Sequence, residues 1–438
     1  MQNKYSKLFI ASISLLAITA SAQETVYPVL PQKGITAITH ASVHVGNGTV
    51  LSDATILFEK GKITAVGNGI ALPKGATEID ATGKEVYPGL ILPNSSLGLR
   101  EISSGVRGSN DFQEIGDNNS DIRSIVSYNT DSKIINVLRA NGILLAQVSP
   151  AGDLIEGRSS VVQLDAWNYE DAEYKANTGM FINMPSLMVR RGGRGGFMRQ
   201  PGGGSDPVKS AFEKIEIIKN YLTDAKAYCQ EKIHTNNNLK LEAARALFEG
   251  QTKLYVRANE VKQMLIAIDL GKTFGINIVI VGGSESFQIA GLLAENKIPV
   301  ILDQEHALPA TEDDDIDQPY KTPAQLQKAG VLFALNDMSD NSKQRNLSFN
   351  AGTAATYGLS KEEALSAITL NAAKVLGIDN ITGSIETGKD ANIIISTGDI
   401  LDMRGNQLTQ AFIQGRMISL DNKQLQLYER YKHKYSIK

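Results

Sequence analysis

The stretch INIVIVGGSESFQIAGLLAENKIPVIL, residues 276–302, contains two short runs of aliphatic residues with a helical pattern between them. The runs INIVIV and IPVIL have the length and the β-branched composition of buried strands. Between them, four apolar residues recur at the spacing of one helix face, namely Phe287, Ala290, Leu293 and Ala294. The stretch therefore predicts a strand, a helix and a second strand parallel to the first.

The same alternation continues on both sides of this stretch. Further buried-strand runs lie at residues 254–257 and 331–335, and a helical pattern covers residues 323–329. An acidic run at residues 312–317 lacks the glycine and final glutamate of an EF-hand loop, so we read it as a solvated loop. Repeated strands and helices at this length predict a (β/α)8 barrel over residues 90–383, with its chemistry at the carboxyl ends of the strands.

The two ends of the chain have a different pattern. Residues 34–88 alternate short β-rich runs with turns such as Gly46-Asn47-Gly48, and hairpin patterns return at residues 393–396 and 411–418. We expect residues 23–89 and 384–430 to form one discontinuous β-sandwich, followed by a tail at residues 431–438.

Bulk composition excludes several classes of protein. Hydrophobic residues make up 42% and charged residues 21% of the 438 residues, which is typical of a globular chain. The net charge is -3 with both signs interspersed, so no nucleic-acid partner is expected. A single cysteine, Cys229, excludes a disulfide framework. The run RRGGRGGFMRQPGGG, residues 190–204, predicts a solvated loop inserted in the barrel, or else a loop whose arginines bind an anion.

The amino terminus has the pattern of a signal peptide over residues 1–22. Lys4 and Lys7 precede an apolar run at residues 8–19, and Ala20-Ser21-Ala22 supplies the small residues of a cleavage site. The run is too short to span a hydrocarbon core of about 30 Å, and no later stretch approaches the roughly 20 apolar residues of a spanning helix. We expect an exported protein, periplasmic or extracellular, with an uncleaved anchor as the alternative.

Several motifs carry a resemblance to a known family. GKITAVG (61–67) and IDATGKEVYPGLI (79–91) resemble the amino-terminal signature of imidazolonepropionase-like, metal-dependent amidohydrolases. The carboxyl-terminal third resembles the same family over RNLSFNAG (345–352), YGLSKEEALSAITLNAAKVLGI (357–378) and GSIETGKDANIIISTGDIL (383–401). The resemblance is weak only at about residues 95–250. It implies a (β/α)8 barrel with a composite β-sandwich and hydrolysis of carbon-nitrogen bonds.

The residues at the family's metal-binding positions differ from those of its relatives. There the first barrel strand runs into a His-x-His pair, and Asn94 and Ser96 occupy those positions here. Arg257 stands where the fifth strand ends in histidine, and a guanidinium has no lone pair to donate to a metal. Amide and hydroxyl oxygens bind transition metals weakly compared with imidazole. The resemblance thus predicts no metal at the ancestral position.

Two further residues are candidates for the site. The family's eighth strand delivers an aspartate that takes a proton from water, and Asp337 is the matching residue, with Asp340 in reserve. Of five histidines, only His306 follows a barrel strand at the catalytic end. A rearranged site could hold a divalent ion through Asp303, Glu305, His306 and Asp337. The alternative is that Asp303 and Glu305 are solvated loop residues and that His306 packs locally.

Two functions remain open at this point. The first is a pseudoenzyme that binds a small anionic ligand, a peptide or an active paralogue through Asn94, Ser96, Arg257 and His306, with no cofactor. The alternative is an active hydrolase of cyclic amides, amidines or dipeptides that uses a rearranged site with a divalent metal such as zinc. Self-association into a homo-oligomer is compatible with either function.

The signal-peptide pattern generates the first testable prediction. We expect exported protein to begin at Gln23 and to be recovered without detergent, because the apolar run is too short to remain as an anchor. Amino-terminal sequencing of exported material measures this. Recovery of full-length chain as an integral membrane protein would contradict it.

Overall fold

A computed structural model describes residues 27–101, 112–188, 206–231, 233–303, 306–338 and 341–437. The predicted signal peptide, the glycine- and arginine-rich insertion, Glu305 and Asp340 lie outside the described residues. Among the described residues, no helix is both long enough and apolar enough to cross a membrane.

The described strands and helices have the following bounds. The strands are β1 (Ile35–His44), β2 (Val50–Glu59), β3 (Lys62–Gly67), β4 (Thr77–Asp80), β5 (Glu85–Pro88), β6 (Leu90–Ser95), β7 (Ile143–Val148), β8 (Ile155–Gln163), β9 (Glu173–Asn183), β10 (Lys253–Ala258), β11 (Ile278–Gly282), β12 (Val300–Leu302), β13 (Phe333–Leu335), β14 (Ile393–Ser396), β15 (Leu408–Ile413) and β16 (Arg416–Ile418). The α-helices are α1 (Lys133–Ala140), α2 (Tyr169–Ala172), α3 (Pro207–Gln230), α4 (Leu239–Glu242), α5 (Arg245–Phe248), α6 (Val261–Phe274), α7 (Ala290–Glu295), α8 (Gln318–Ala329), α9 (Leu347–Thr356), α10 (Lys361–Ala367), α11 (Leu370–Leu376) and α12 (Lys423–Lys434).

Strands from both ends of the chain form one sheet, in the order β16-β15-β14-β5-β1-β2-β3, with β4 also paired to β1. The junction is the antiparallel pair of β5 and β14, where Tyr87 lies opposite Ile394. Phe58 of β2 and Phe412 of β15 meet edge to face at 5.3 Å, although three strands separate them in the sheet. The sheet therefore curls until β2 and β15 share one apolar core. Its division into the two layers of a sandwich stays a prediction.

A second sheet contains β6 to β13 in chain order, and β13 lies next to β6 so that the sheet nearly closes. Helix α11 packs against both strands at this seam. Each strand contributes at least one buried apolar side chain to the interior cluster, including Ile91, Leu145, Val161, Phe181, Tyr255, Val279, Ile301 and Ala334. The interior is thus a packed core, as expected for a barrel of eight strands.

One strand departs from the predicted regular (β/α)8 pattern. β8 runs antiparallel to both β7 and β9, whereas the remaining neighbours in this sheet are parallel. Only residues 149–154 connect β7 to β8. A parallel strand needs a crossover of about a dozen residues or more, so this connection is too short for one. The prediction of uniform βα units is wrong at this point, which lies within the region of weak resemblance.

Buried ion pairs join the terminal sheet to the barrel. Asp165, which follows β8, accepts hydrogen bonds from Arg139 of α1 at 2.7 Å and from Arg416 of β16 at 3.2 Å. All three side chains are largely buried. Two cations on one buried carboxylate compensate its desolvation, and they hold the last strand of the chain against the barrel.

His44 makes a second connection between the two units. Its Nδ1 lies 2.6 Å from Glu362 of α10 and its Nε2 lies 3.0 Å from Glu85 of β5, while the ring stacks on Tyr87. Burial alone would lower the pKa of His44, but the two carboxylates outweigh burial and raise this pKa above its usual value. The imidazolium form therefore ties the sheet to the barrel.

We expect His44→Asn to destabilise the protein in a pH-dependent way. Since the folded-state pKa of His44 is raised, its contribution is fully present below the unfolded pKa of about 6.5 and is lost as pH rises through the folded pKa. The loss in free energy of unfolding should be about 1–3 kcal/mol at pH 6 and smaller at pH 9. Urea unfolding at both pH values measures it.

His40→Asn is the matched control for this experiment. His40 lies on the same strand and pairs with Asp53 at 2.8 Å, but both side chains are more than half exposed. Its loss should change stability little at either pH, because exposed pairs contribute little. If both substitutions changed the free energy of unfolding equally, or if His44→Asn had a larger effect at pH 9 than at pH 6, the protonated His44 would not connect the sheet to the barrel.

Candidate functional site

Alternation along β10 places Arg257 at the carboxyl end of the barrel interior. Tyr255, two residues earlier, is fully buried and stacks on Phe181 with ring centroids 4.7 Å apart. Residues two apart on a strand face the same side, so Arg257 continues this inward face toward the carboxyl end. Its guanidinium carbon lies 4.9 Å from the centroid of the Phe181 ring. Arg257 therefore places a fixed positive charge at the carboxyl end of the apolar interior.

Glu156 of β8 is the partner of this charge. Arg257 Nε donates to Glu156 Oε2 at 2.8 Å, and Glu156 is only 2% exposed. Burial raises the pKa of the Glu156 carboxyl above its usual value, and the adjacent guanidinium offsets this only in part. Because β8 is inverted, Glu156 lies near the start of its own strand and still reaches the carboxyl end of the neighbouring strands.

A chain of hydrogen bonds extends from Arg257 across the barrel end. Arg257 Nη2 donates to Ser149 Oγ at 3.3 Å, and Ser149 Oγ donates to Asn94 Oδ1 at 2.7 Å. The Asn94 amide donates in turn to Asp303 Oδ1 at 3.2 Å, and the Asn336 amide donates to the same oxygen at 2.9 Å. Burial raises the pKa of Asp303. This chain links β6, β10, the end of β12 and the end of β13.

A pocket of about 330 Å³ opens beside this chain, and we call it the Arg257 pocket. Its polar walls carry two cations and two carboxylates, and its apolar walls come from loops above the barrel and from Ile134 of α1. The residues around it include Ser96, Arg100, Glu101, Phe112, Ile134, Ser149, Pro150, Glu156, Arg257 and Met338. The volume is at the lower end of the range for small-molecule sites.

The structure brings three of the predicted site residues to this end of the barrel. Arg257 and Ser96 line the pocket, and Ser96 Oγ donates to Asn341 at 3.0 Å. Asn94 is fully buried beneath them, where it holds Asp303.

Two other predicted residues lie apart from the Arg257 pocket. His306 Nε2 is 2.8 Å from Thr353 Oγ1, and its ring meets Tyr320 edge to face. Asp337 is buried and accepts from the Asn350 amide at 3.3 Å, and it does not line the pocket. Across the described ranges, no group of three or more His, Cys, Asp or Glu side chains is placed to hold a metal ion.

The sequence analysis missed Glu156, Ser149 and Asn336. Site residues are predicted directly after parallel strands. Glu156 instead lies near the start of an antiparallel strand, which the predicted pattern does not contain. Asn336 directly follows the strand run at residues 331–335 and precedes Asp337. A polar residue at the carboxyl end of a barrel strand is a candidate site residue, so Asn336 could have been predicted from its position.

Comparisons with known proteins agree with this architecture. The amidohydrolase family model matches residues 251–418. An imidazolonepropionase of Thermoplasma volcanium is 25% identical over 364 residues, which cover 79% of this chain and 84% of the relative. Residues 251–418 thus match the amidohydrolase family, and the chain is similar to a member of that superfamily over most of its length.

Solved structures of amidohydrolases share the fold. An amidohydrolase from Thermotoga maritima has a TM-score of 0.74 at 24% identity, and the match covers 88% of this chain and 99% of that one. A prolidase in complex with N-methylphosphonate-L-proline has a TM-score of 0.55 at 13% identity, with 88% and 100% covered. At these identities the two structures support the fold alone.

The divalent metal of many amidohydrolases does not fit the side chains at the matching positions here. Two amide N–H groups, from Asn94 and Asn336, point at Asp303 Oδ1, and Asn94 Oδ1 is occupied by the Ser149 hydroxyl. The guanidinium of Arg257 adds a permanent positive charge beside them. Hydrogen-bond donors and a cation surround the Asp303 carboxylate, so we route no catalytic step through a metal.

We expect Arg257→Met to lower the free energy of unfolding by about 3 kcal/mol, because it leaves the buried Glu156 carboxylate without a counter-charge. The double variant Arg257→Met/Glu156→Leu should recover most of that loss, since apolar side chains can replace a buried pair. Urea unfolding measures both variants. A double variant that is less stable than Arg257→Met would contradict the assignment of the pair.

Proposed function

We propose that this amidohydrolase-superfamily protein binds a small anionic ligand in the Arg257 pocket and has lost the metal-dependent hydrolysis of its relatives. The observation that carries the proposal is Arg257 itself, a permanent cation at the carboxyl end of the barrel where the relatives have a histidine ligand. It is held in place by Glu156 and by the Phe181 ring.

Ligand chemistry supports the loss of the metal. A catalytic zinc usually has three protein ligands and a water whose pKa falls to roughly 7. Asn94, Ser96 and Arg257 supply none of the imidazoles, and Arg257 would repel a divalent cation. Without that cation, no metal-bound hydroxide forms at this position.

The charge distribution supports an anionic ligand. Arg257 uses Nε for Glu156 and Nη2 for Ser149 and Pro150, so its planar fork is fixed relative to the pocket. A fixed guanidinium charge favours carboxylate or phosphate groups, which can accept from the Nη1 group that these contacts do not use. Arg100 adds a second cation to the wall and lies over Phe112 at 5.2 Å. The apolar wall suits a short hydrocarbon part of the same ligand.

Several finer features belong to the same proposal. We infer that the curled terminal sheet is the composite β-sandwich of the family and that the protein is exported. Its partners would be a small molecule, a peptide or an active paralogue. Asn94 acts as a positioning residue for Asp303, and Ser96 contacts the ligand from the pocket wall.

An active hydrolase of cyclic amides, amidines or dipeptides is the second candidate. The names of the relatives, imidazolonepropionase and prolidase, favour it. So do Glu156 and Asp303, whose pKa values are raised by burial, because such carboxyls can act as general acids. This candidate would use Asp337 with a rearranged divalent metal.

The decisive comparison is the wild-type protein against Asn94→His/Ser96→His/Arg257→His. After chelation and reloading with zinc or manganese, elemental mass spectrometry should find substoichiometric metal in the wild type and gained metal in the triple variant, because imidazoles replace the weak donors. Asn94→His/Ser96→His, which keeps the Arg257 charge, is the matched control and should gain less metal.

A tightly bound stoichiometric metal in the wild type, with chelator-sensitive turnover of a dipeptide, would overturn the proposal in favour of the second candidate. Calorimetric titration with succinate tests the anion site directly. We expect binding by the wild type and at least tenfold weaker binding by Arg257→Met/Glu156→Leu, which removes the guanidinium without leaving a buried charge.

A further inference from the structure

Helix α12, near the carboxyl terminus, has no buried residue. Leu425, Tyr428 and Tyr431 recur along it at intervals of three residues, and Tyr435 follows at its C-cap. Their side chains are 48%, 60%, 50% and 62% exposed. Residues at this spacing lie on one helix face. A helix of 12 residues is marginal in water by itself, so an exposed aromatic face indicates that something covers it.

The helix is also strongly basic. It carries four Lys and Arg residues, Lys423, Arg430, Lys432 and Lys434, against one acid, Glu429. A partner for this face must therefore offer negative charge together with apolar side chains.

The chain itself contains such a surface, which we call the acidic loop, residues 307–317. It carries five carboxylates and no Lys or Arg. Leu308 is 83% exposed and Ile316 is 69% exposed. Lys321 neutralises Asp315, but Glu312 and Asp313 remain exposed to solvent. The acidic loop is thus complementary to α12 in charge and in apolar character.

The chain approaches α12 from the amino end of the barrel, whereas the acidic loop lies at the carboxyl end. The acidic loop follows β12 at the carboxyl end. Helix α12 follows β16, whose Arg416 binds Gln163 at the last position of β8. Since β8 is inverted, Gln163 pairs with Leu145 near the start of β7, at the amino end. One copy of the chain therefore does not bring the two surfaces together.

We propose that α12 of one copy docks on the acidic loop of a second copy, in a head-to-tail contact. The aromatic face of the helix covers Leu308 and Ile316, and its lysines face Glu312 and Asp313. A contact between two different surfaces is heterologous, so it closes into a ring or grows into an open chain. Leu308 also lines a pocket next to Asp303, so docking covers that side of the barrel mouth.

Sedimentation equilibrium of the full chain across protein concentration and salt tests this contact. We expect reversible association at low salt that weakens at about 1 M salt, where charges are screened beyond about 3 Å. Lys432→Glu/Lys434→Glu and Glu312→Lys/Asp313→Lys should each weaken association by about tenfold. Mixing these two variants should restore it, because each then offers the surface complementary to the other.

Tyr428→Ser/Tyr431→Ser tests the apolar part of the contact and should also weaken association. Vesicles of phosphatidylglycerol and phosphatidylcholine serve as the competing partner. If the protein stays monomeric at every concentration, the proposal is wrong. The same holds if the protein stays monomeric and α12 binds these anionic vesicles instead. Failure of the mixed variants to associate would overturn it as well, whereas anion binding in the Arg257 pocket is independent of all these outcomes.

Discussion

The connection between β7 and β8 consists of residues 149–154 only, and this length is the constraint on which the carboxyl end of the barrel depends. Such a connection cannot cross over to a parallel strand, so β8 turns back antiparallel. The turn places Ser149 and Glu156 beside Arg257. The charge of Arg257 is then compensated within the protein, and a guanidinium becomes tolerable at the end of an apolar barrel interior.

The compensated pair determines the electrostatic environment at this end of the barrel. Carboxylates that would hold a metal in a polar cavity here accept hydrogen bonds from amides and from a guanidinium. Burial raises the pKa values of Glu156 and Asp303, so their charged forms depend on these donors. In the proposed function, preorganised N–H groups at this end recognise an anion, and they need no reorganisation when a ligand enters.

The two ends of the chain stabilise the barrel through a small number of buried polar contacts. The β5–β14 pair joins the ends, and Asp165 and His44 connect the resulting sheet to the barrel. Buried pairs of this kind contribute because each charge lacks water, so loss of one partner leaves the other uncompensated. The pH dependence of His44 therefore reports on the contact between sheet and barrel.

By itself, the sequence determined the strand and helix alternation around residues 276–302, the β-rich character of both ends and the family. Local periodicity and turn residues encode the alternation and the β-rich character, and the motifs near both ends carry the family resemblance, so none of these needs a tertiary contact to be read. Through the family resemblance the sequence also placed Asn94, Ser96 and Arg257 at the carboxyl end of the barrel, where such enzymes have their chemistry. Only the tertiary structure decided that β8 is inverted, that Glu156 pairs with Arg257 across 101 residues of chain, and that His306 binds Thr353. Strand direction and side-chain pairing depend on loop length and on contacts between distant segments, and no local pattern in the sequence specifies those contacts.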